Sequence, residues 1–310
     1  MDSVFEAMVV ETTPFSLCEL APRGWLSMPR APAASLHYVL SGEGALHMPG
    51  VPPVGIARGD LIFVPAGGSH SLGASDGKFV SFAECKPAGL GLAHHRSGGD
   101  DADGDATGLV VLCASVSIGI RGAGPVIDLL REPVIEPGRD ASVTASALEL
   151  IVAEIMQPRI GSRAMVRALL LQCVIEAIRR RVEARSGPMR WIAALADLRF
   201  WPALSAVLSN PSAPHSVESM AELVGMSRSR FAEHFHRSFG AAPMEIVRNL
   251  RLQHAARLLL DGGVGIARVA ELSGYSSRSH FTQQFEARFG MSPGKYRRSF
   301  SDEKMSGDLS

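Results

Sequence analysis

Two stretches of this chain share one pattern: residues 221–243 read AELVGMSRSRFAEHFHRSFGAAP, and residues 270–293 read AELSGYSSRSHFTQQFEARFGMSP. The residues that open each stretch recur 49 positions apart, and the serines, arginine, phenylalanines and proline that follow recur 50 positions apart. Each copy predicts a helix, a tight glycine turn, and a second helix that begins after Ser227 or Ser277. This is the outline of a helix-turn-helix unit, and the chain carries it twice.

The second helix of each copy has phenylalanines at positions i, i+4 and i+8, which places them on one face. That face must be buried, so the first turn of the helix is left exposed on the other side. Small, hydrogen-bonding and guanidinium side chains there suit base edges in a DNA major groove. The side chains expected to contact DNA are Arg228, Ser229, Arg230 and Glu233 in the first unit and Arg278, Ser279, Thr282 and Gln283 in the second.

The charge distribution supports a polyanion partner for only one part of the chain. The formal net charge of the whole chain is zero. Residues 190–300, however, contain fourteen basic and eight acidic residues, a net charge of +6. Residues 1–189 contain sixteen basic and twenty acidic residues, a net charge of −4. A basic C-terminal block beside an acidic remainder suggests that a polyanion binds the C-terminal domain alone.

The first part of the chain has a strand-like pattern, with short apolar runs at 35–40, 44–48, 60–64, 79–82 and 109–117. An acidic, low-complexity stretch at 97–108 predicts a solvated loop. From Ser142 the period becomes helical, and one apolar stripe predicts a long helix that either covers the β domain or pairs with a second subunit. The stripe consists of Val166, Leu169, Leu170, Cys173, Val174, Ala177 and Ile178.

The cysteines and the apolar stretches indicate the cellular compartment in which the protein is expected to reside. Four cysteines lie far apart without a C-x-x-C pair, which is typical of buried thiols in a reducing cytosol rather than of disulfides or zinc ligands. Cys18 is the candidate redox sensor, because polar neighbours favour an accessible thiolate. The N-terminus lacks a signal peptide pattern, and the apolar stretch at 109–120 is too short for a membrane span of about 20 residues. The sequence thus predicts a cytoplasmic protein without a membrane segment.

The stretch GYSSRSHF at 274–281, continued by Phe285, FGMSP at 289–293, Tyr296 and Arg297, resembles the DNA-binding domain of the AraC/XylS family. This resemblance covers about residues 195–300. It implies base-reading positions at Ser229, Ala232 and Glu233 in the first unit and at Arg278, Ser279, Thr282 and Gln283 in the second. Ala232 and Glu233 are poor hydrogen-bond donors, and neighbouring Arg230 is the candidate that compensates.

A second resemblance lies in GDLIFVPAGGSH at 59–70, whose spacing G-x5-P-x-G-x2-H is similar to a cupin half-motif. Cupins are small β-barrels, and AraC-type regulators commonly carry one. The other half-motif is degraded, because the H-x-H pair is absent. His37, His47 and His70 are therefore assigned to effector binding, and no metal or other cofactor is expected.

We therefore predict an α+β multidomain chain with three parts and a tail. Residues 1–140 form a cupin-like β-barrel that acts as the sensor domain, and 141–188 form a helical coupling or dimerisation segment ending in a linker. Residues 189–300 form an all-α DNA-binding domain, with its helix-turn-helix units at about 216–239 and 266–289. Residues 301–310 form a disordered tail.

These observations predict a transcription regulator, either an activator or a repressor, that binds promoter DNA under the control of a small-molecule effector. It is expected to act as a homodimer without catalytic residues, and RNA polymerase is a further candidate partner. Two alternatives remain open. One is a cupin-type metal-dependent enzyme with a helical appendage, and the other is a redox signal in place of the effector.

Overall fold

A computed structural model describes residues 8–20, 24–28, 31, 33–49, 51–73, 83–87, 93–97, 108–120, 125–130, 132–138, 142–184 and 199–298. They fall into two units. The β unit holds those within 10–117 and 132–184, and the helical unit holds 8–9, those within 118–131, and those beyond 185. The strand expected at 79–82, the acidic stretch at 98–107 and the tail at 301–310 lie outside the described residues.

The strands of the chain lie mainly in the β unit. They are β1 (Met8–Leu20), β2 (Trp25–Met28), β3 (Ala34–Met48), β4 (Val51–Ala57), β5 (Leu61–Val64), β6 (His70–Gly73), β7 (Ala83–Pro87), β8 (Ala93–Ser97), β9 (Leu109–Ile120) and β10 (Val134–Glu136). The main path of the sheet runs β10-β5-β3-β9-β1-β8-β7. β3 also pairs with β4 and β6, and β6 pairs with β2, so β3 joins the two parts of the sheet.

The strands expected at 35–40 and 44–48 form one continuous strand, β3, so the predicted break between them was wrong. Gly42 has φ +80° and follows a register shift in the pairing of β3 with β9. The glycine therefore supports an irregularity within the strand instead of a turn. Because β3 is long, it carries both His37 and His47.

Two helices pack against each other and belong to the β unit: α1 (Ser142–Met156) and α2 (Ser162–Ala184). All seven residues of the predicted stripe on α2 are buried, which confirms that face. Arg181 of α2 forms an ion pair with Glu136 of β10. The Tyr38 hydroxyl of β3 donates to the Thr144 carbonyl of α1 at 2.8 Å. These two contacts connect both helices to the sheet of their own chain.

The helical unit contains α3 (Trp201–Ser209), α4 (Val217–Leu223), α5 (Arg228–Phe239), α6 (Pro243–Asp261), α7 (Ile266–Leu272) and α8 (Arg278–Phe289), and residues 293–298 are also helical. The three phenylalanines of α8 pack with Tyr275 and Tyr296 in one buried cluster. Phe200 packs against the equivalent phenylalanines of α5. Within the described parts of the chain, no helix is long and apolar enough to cross a membrane.

Candidate DNA-binding surface and sensor cavity

The turns of the two helix-turn-helix units have the same backbone construction. Gly225 and Gly274 have φ +64° and +78°, a left-handed conformation that glycine adopts without the usual steric cost. In the second unit, the Tyr275 N–H donates to the Ala270 carbonyl at 2.9 Å, and the Gly274 N–H donates to the Glu271 carbonyl at 2.9 Å. The first unit makes the two equivalent bonds. These bonds close the C-terminus of the first helix and set the direction of the second.

The second helices begin as predicted, after Ser227 and Ser277, although only one serine caps with its side chain. Ser277 accepts from the His280 N–H at 3.3 Å, whereas Ser227 makes no side-chain cap bond. In both helices the phenylalanines at i, i+4 and i+8 are buried, which confirms the inward face. The opposite face and the first turn are consequently left for a partner.

The structure places the eight predicted DNA-contacting side chains on α5 and α8, away from the buried phenylalanines. Seven are exposed and Thr282 is half-buried; Ala232 is also half-buried. Because the eight lie in the first two turns of each helix, they form two surfaces that share guanidinium and hydroxyl groups, with the Glu233 carboxylate in the first and the Gln283 amide in the second. The eight are Arg228, Ser229, Arg230, Glu233, Arg278, Ser279, Thr282 and Gln283.

The two surfaces differ in their ion pairs. In the first unit Arg228 lies 2.8 Å from Glu218 of α4, measured from Nε to Oε1, and Glu233 accepts from Arg237 at 2.6 Å. In the second unit Arg278 forms no ion pair with any described residue. The sequence pattern did not single out Glu218, because its partner lies on the next helix.

Another pair missed by the sequence patterns involves α6, the helix between the two units. A short 3₁₀ segment, Val126–Leu129, packs against α6 within the helical unit. The Asp128 carboxylate is buried and pairs with Arg257 at 2.6 Å. Burial raises the pKa of Asp128, and the Arg257 charge opposes that rise. No local motif signals a pair whose members are 129 residues apart.

In the β unit, His37 and His70 meet in the interior. Their Nε2 atoms are 2.7 Å apart, and His37 Nδ1 is 3.1 Å from the Cys113 sulfur. His70 Nδ1 lies 3.3 Å from the Gly68 carbonyl oxygen, an acceptor, which assigns the donor role to this nitrogen. Burial lowers the pKa of His37 well below its usual range and that of His70 to about 4. Both imidazoles are therefore neutral at neutral pH.

The third predicted histidine, His47, is separate from this pair. Its ring stacks on Trp25 with centroids 4.2 Å apart, and its buried Nε2 has no hydrogen-bond partner. His47 and His70 line a cavity of about 290 Å³ together with Ser27, Met48, Pro49, Ser69 and Ser71. The structure thus brings His70 to both His37 and the cavity, but it does not bring all three histidines to one point. Among the described residues, no group of three or more potential ligands forms a metal site.

The expectation that Cys18 is accessible was wrong. Cys18 is fully buried, because β1 lies between β9 and β8 within the sheet and its polar neighbour Ser16 is buried with it. The Cys18 sulfur lies 3.6 Å from that of Cys113, and Cys173 is also buried. Burial raises the pKa of Cys113 well above its usual range and that of Cys173 to about 11. The prediction of buried thiols is confirmed for these three, and the side chain of Cys85 lies outside the described set.

Comparison with known proteins agrees with both domains. A family model described as a helix-turn-helix domain matches residues 220–299, and a cupin model matches residues 1–183, more than half of the chain. An uncharacterized HTH-type transcriptional regulator of Haemophilus influenzae is 31% identical over 50% of this chain, which spans about half (52%) of that relative's length. A putative AraC-like transcription regulator of Streptomyces lividans is 27% identical, with 79% of this chain and 80% of the relative covered.

Among solved structures, an AraC-type regulator from Chromobacterium violaceum is 27% identical. The match covers 34% of this chain and 96% of that one, with a TM-score of 0.33. The two family models and the similarity to AraC-like regulators fit the tandem units and the strand-rich domain described above. The chain therefore belongs to the AraC-type helix-turn-helix transcription regulators that carry an N-terminal cupin domain.

Proposed function

We propose that this regulator recognises a specific promoter sequence with both helix-turn-helix units and that its cupin domain controls the recognition through a small effector. The observation that carries the proposal is the repeated arrangement of α5 and α8. Each presents an exposed first turn of arginine and serine side chains opposite a buried phenylalanine face. Such a turn fits base edges in the major groove, while other arginines and helix N-termini hold phosphates.

Selection from a random duplex library tests the recognition. The full-length chain is expected to enrich one sequence with two contacted segments about one turn of the DNA helix apart, because α6 separates the two helix-turn-helix units. Binding of the enriched duplex should exceed that of a scrambled duplex by at least about a thousandfold at physiological salt. Enrichment of no sequence, together with equal binding of both duplexes, would overturn the proposal. Activation through RNA polymerase stays a prediction, which transcription in vitro from a template with the enriched sequence measures.

The cavity beside His47 supports the effector part of the proposal. Its seven lining residues include no lysine, arginine, aspartate or glutamate, and His70 is neutral. The buried His47 Nε2 offers an unused hydrogen-bonding group, and three serines add hydroxyls. A volume of about 290 Å³ is at the lower end of small-molecule sites. We therefore assign it a small uncharged ligand that bears hydroxyl or carbonyl groups.

A thermal-shift screen with uncharged sugars, polyols and amides tests this assignment. A true ligand should raise the melting temperature of the wild-type chain and alter its affinity for the enriched duplex. His47→Ala should abolish both effects, whereas Glu43→Ala, an exposed position on the same strand, should keep them. A ligand response that survives in His47→Ala places the effector elsewhere.

A metal-dependent enzyme is the less favoured alternative. His70 directs one ring nitrogen to His37 and the other to the Gly68 carbonyl, and His47 stacks apart from them on Trp25. This arrangement engages the imidazoles of His37 and His70 in hydrogen bonds to the protein itself. Elemental analysis of the purified chain distinguishes the two functions, since a stoichiometric metal that is lost in His70→Ala would favour the enzyme.

We also propose that the chain acts as a homodimer in the cytoplasm. Four large apolar side chains on α1, on α2 and in the connection between these helices are exposed: Leu150, Met156, Ile160 and Met165. Such side chains suit a second subunit. Sedimentation should give a dimer for the wild type and a monomer for Met165→Glu, whereas a monomeric wild type would contradict this part of the proposal.

A further inference from the structure

The Arg228 side chain is held by a residue outside its own helix. Glu218 lies in the first turn of α4, where Ser216 and Ser219 form a capping box, and Arg228 is the first residue of α5. Nε of Arg228 lies 2.8 Å from Oε1 of Glu218. Glu218 thus contacts Nε, the inner nitrogen of the guanidinium, and 69% of the arginine side chain remains exposed.

The second unit provides an internal comparison. The repeat aligns Arg228 with Arg278 at an offset of 50 residues, and it aligns Glu218 with Ala267 at an offset of 49. Alanine has no charge to offer, and Arg278 has no ion-pair partner in the described part of the chain. In the first unit, Glu233 pairs with Arg237 of its own helix. Glu218 is therefore the acidic residue that pairs with Arg228.

We propose that Glu218 is a positioning residue that pre-organises Arg228 to read a guanine in the first helix-turn-helix unit, an inference that rests on the proposed function. A guanine presents O6 and N7 to the major groove, and an arginine reads them with two parallel N–H groups. A free arginine side chain loses rotamer entropy when it makes that contact. An arginine already held at its inner nitrogen loses less, and its terminal nitrogens are the ones that meet the base.

Removal of Glu218 should change the affinity for DNA in the direction opposite to the one that simple electrostatics predicts. A carboxylate near DNA repels phosphates, so its removal is expected to strengthen binding to every sequence. If Glu218 instead positions Arg228, its removal weakens binding to the preferred sequence and reduces discrimination at one base pair. Glu222 is a matched control, because it is exposed on the same helix and forms no ion pair with a described residue.

The experiment uses the full-length chain and the duplex enriched by the wild type. Arg228→Ala first identifies the base pair at which this arginine discriminates. Glu218→Ala should then lower affinity for that duplex about two- to fivefold, as an exposed ion pair allows, and lower discrimination at the same base pair. Glu222→Ala should keep or slightly raise affinity. In the Arg228→Ala background, Glu218→Ala should cause no further loss, which is the signature of coupling in a double-mutant cycle.

Two results overturn the inference while the proposed function stands. One is equal strengthening of binding by Glu218→Ala and Glu222→Ala, and the other is a loss in Glu218→Ala that persists without Arg228. Thermal melts show whether the variants fold, and Glu218→Gln, which keeps the side-chain length, replaces Glu218→Ala if that variant does not. If the wild type enriches no sequence, the proposed function fails and this inference fails with it.

Discussion

Nε2 of His37 lies 2.7 Å from Nε2 of His70, so one of these nitrogens donates and the other accepts. Because His70 Nδ1 faces a carbonyl oxygen and donates, Nε2 of a neutral His70 is the acceptor and His37 Nε2 is the donor. His37 Nδ1 then accepts from the Cys113 thiol. This chain of neutral donors and acceptors requires that both histidines stay unprotonated in the folded β unit.

We therefore predict that the β unit loses stability as the pH falls from about 6.5 towards 4. The folded pKa of both histidines is lowered, so the unfolded chain binds more protons in this window. Stability that is present above the window is consequently lost on acidification. Each histidine contributes a slope of about 1.4 kcal/mol per pH unit in the middle of the window.

Urea unfolding between about pH 7 and pH 4.5 measures this slope for the wild type and for a His37→Gln/His70→Gln variant. The variant should show a shallower dependence, because its glutamines do not titrate. Parallel slopes would show that the pair does not carry the pH dependence.

The turns of the helix-turn-helix units provide the next prediction. Gly274→Ala should destabilise the helical unit more than Gly225→Ala. Both glycines have positive φ, where an alanine costs about 1–2 kcal/mol. A Cβ at 274 would also lie 2.7 Å from the Ser212 carbonyl oxygen, whereas a Cβ at 225 meets nothing within 4 Å. Thermal melts of the two variants measure the difference, and equal destabilisation would contradict the close approach at Ser212.

The helix-turn-helix units were predictable from the sequence because their signals are local. Phe281, Phe285 and Phe289 lie within one helix of twelve residues, and the left-handed Gly274 follows Ser273, the C-cap of the preceding helix. Burial of this face follows from spacing alone, and the repeat shows the same spacing twice.

The sensor domain was less predictable because its contacts join residues far apart in the chain. His37 and His70 lie 33 residues apart, and Cys18 and Cys113 lie 95 apart, so their meeting depends on the pairing of several strands. Polar neighbours suggested that Cys18 was exposed, but the position of β1 between two strands decides its burial. The spacing of the histidines also did not indicate that His47 lines the cavity with His70 while His37 lies apart from it.

The ion pair between Arg257 of α6 and the buried Asp128 gives a prediction about stability. Arg257→Ala should cost about 3 kcal/mol, because it leaves the buried Asp128 carboxyl without its partner. Arg268→Ala is the matched control: its pair with Glu271 is exposed on both sides and contributes at most about 1 kcal/mol. Urea titrations of both variants compare the losses. Similar small losses would show that the Asp128 contact contributes little to the helical unit.

The thiols of the β unit allow a test of the redox alternative. In a Cys85→Ser background, the remaining cysteines should react slowly with a thiol reagent in the native state and rapidly in urea, because Cys18, Cys113 and Cys173 are buried. Burial also keeps Cys113 in the thiol form by raising its pKa. Native labelling of Cys18 at the rate of the unfolded chain would restore it as a redox sensor.

Base reading by the tandem units is tested most directly at Arg278, which is exposed in the first turn of α8 and has no ion-pair partner among the described residues. The measurement is a titration of wild type, Arg278→Ala and Lys295→Ala against the enriched duplex and its single-base variants at several salt concentrations. Arg278→Ala should cost about 1–3 kcal/mol at the enriched duplex and remove discrimination at one base pair. Lys295→Ala should weaken all duplexes alike and reduce the salt slope by about one. If Arg278→Ala instead lowers affinity for every duplex by the same factor, Arg278 holds a phosphate, and base reading by this side chain is contradicted.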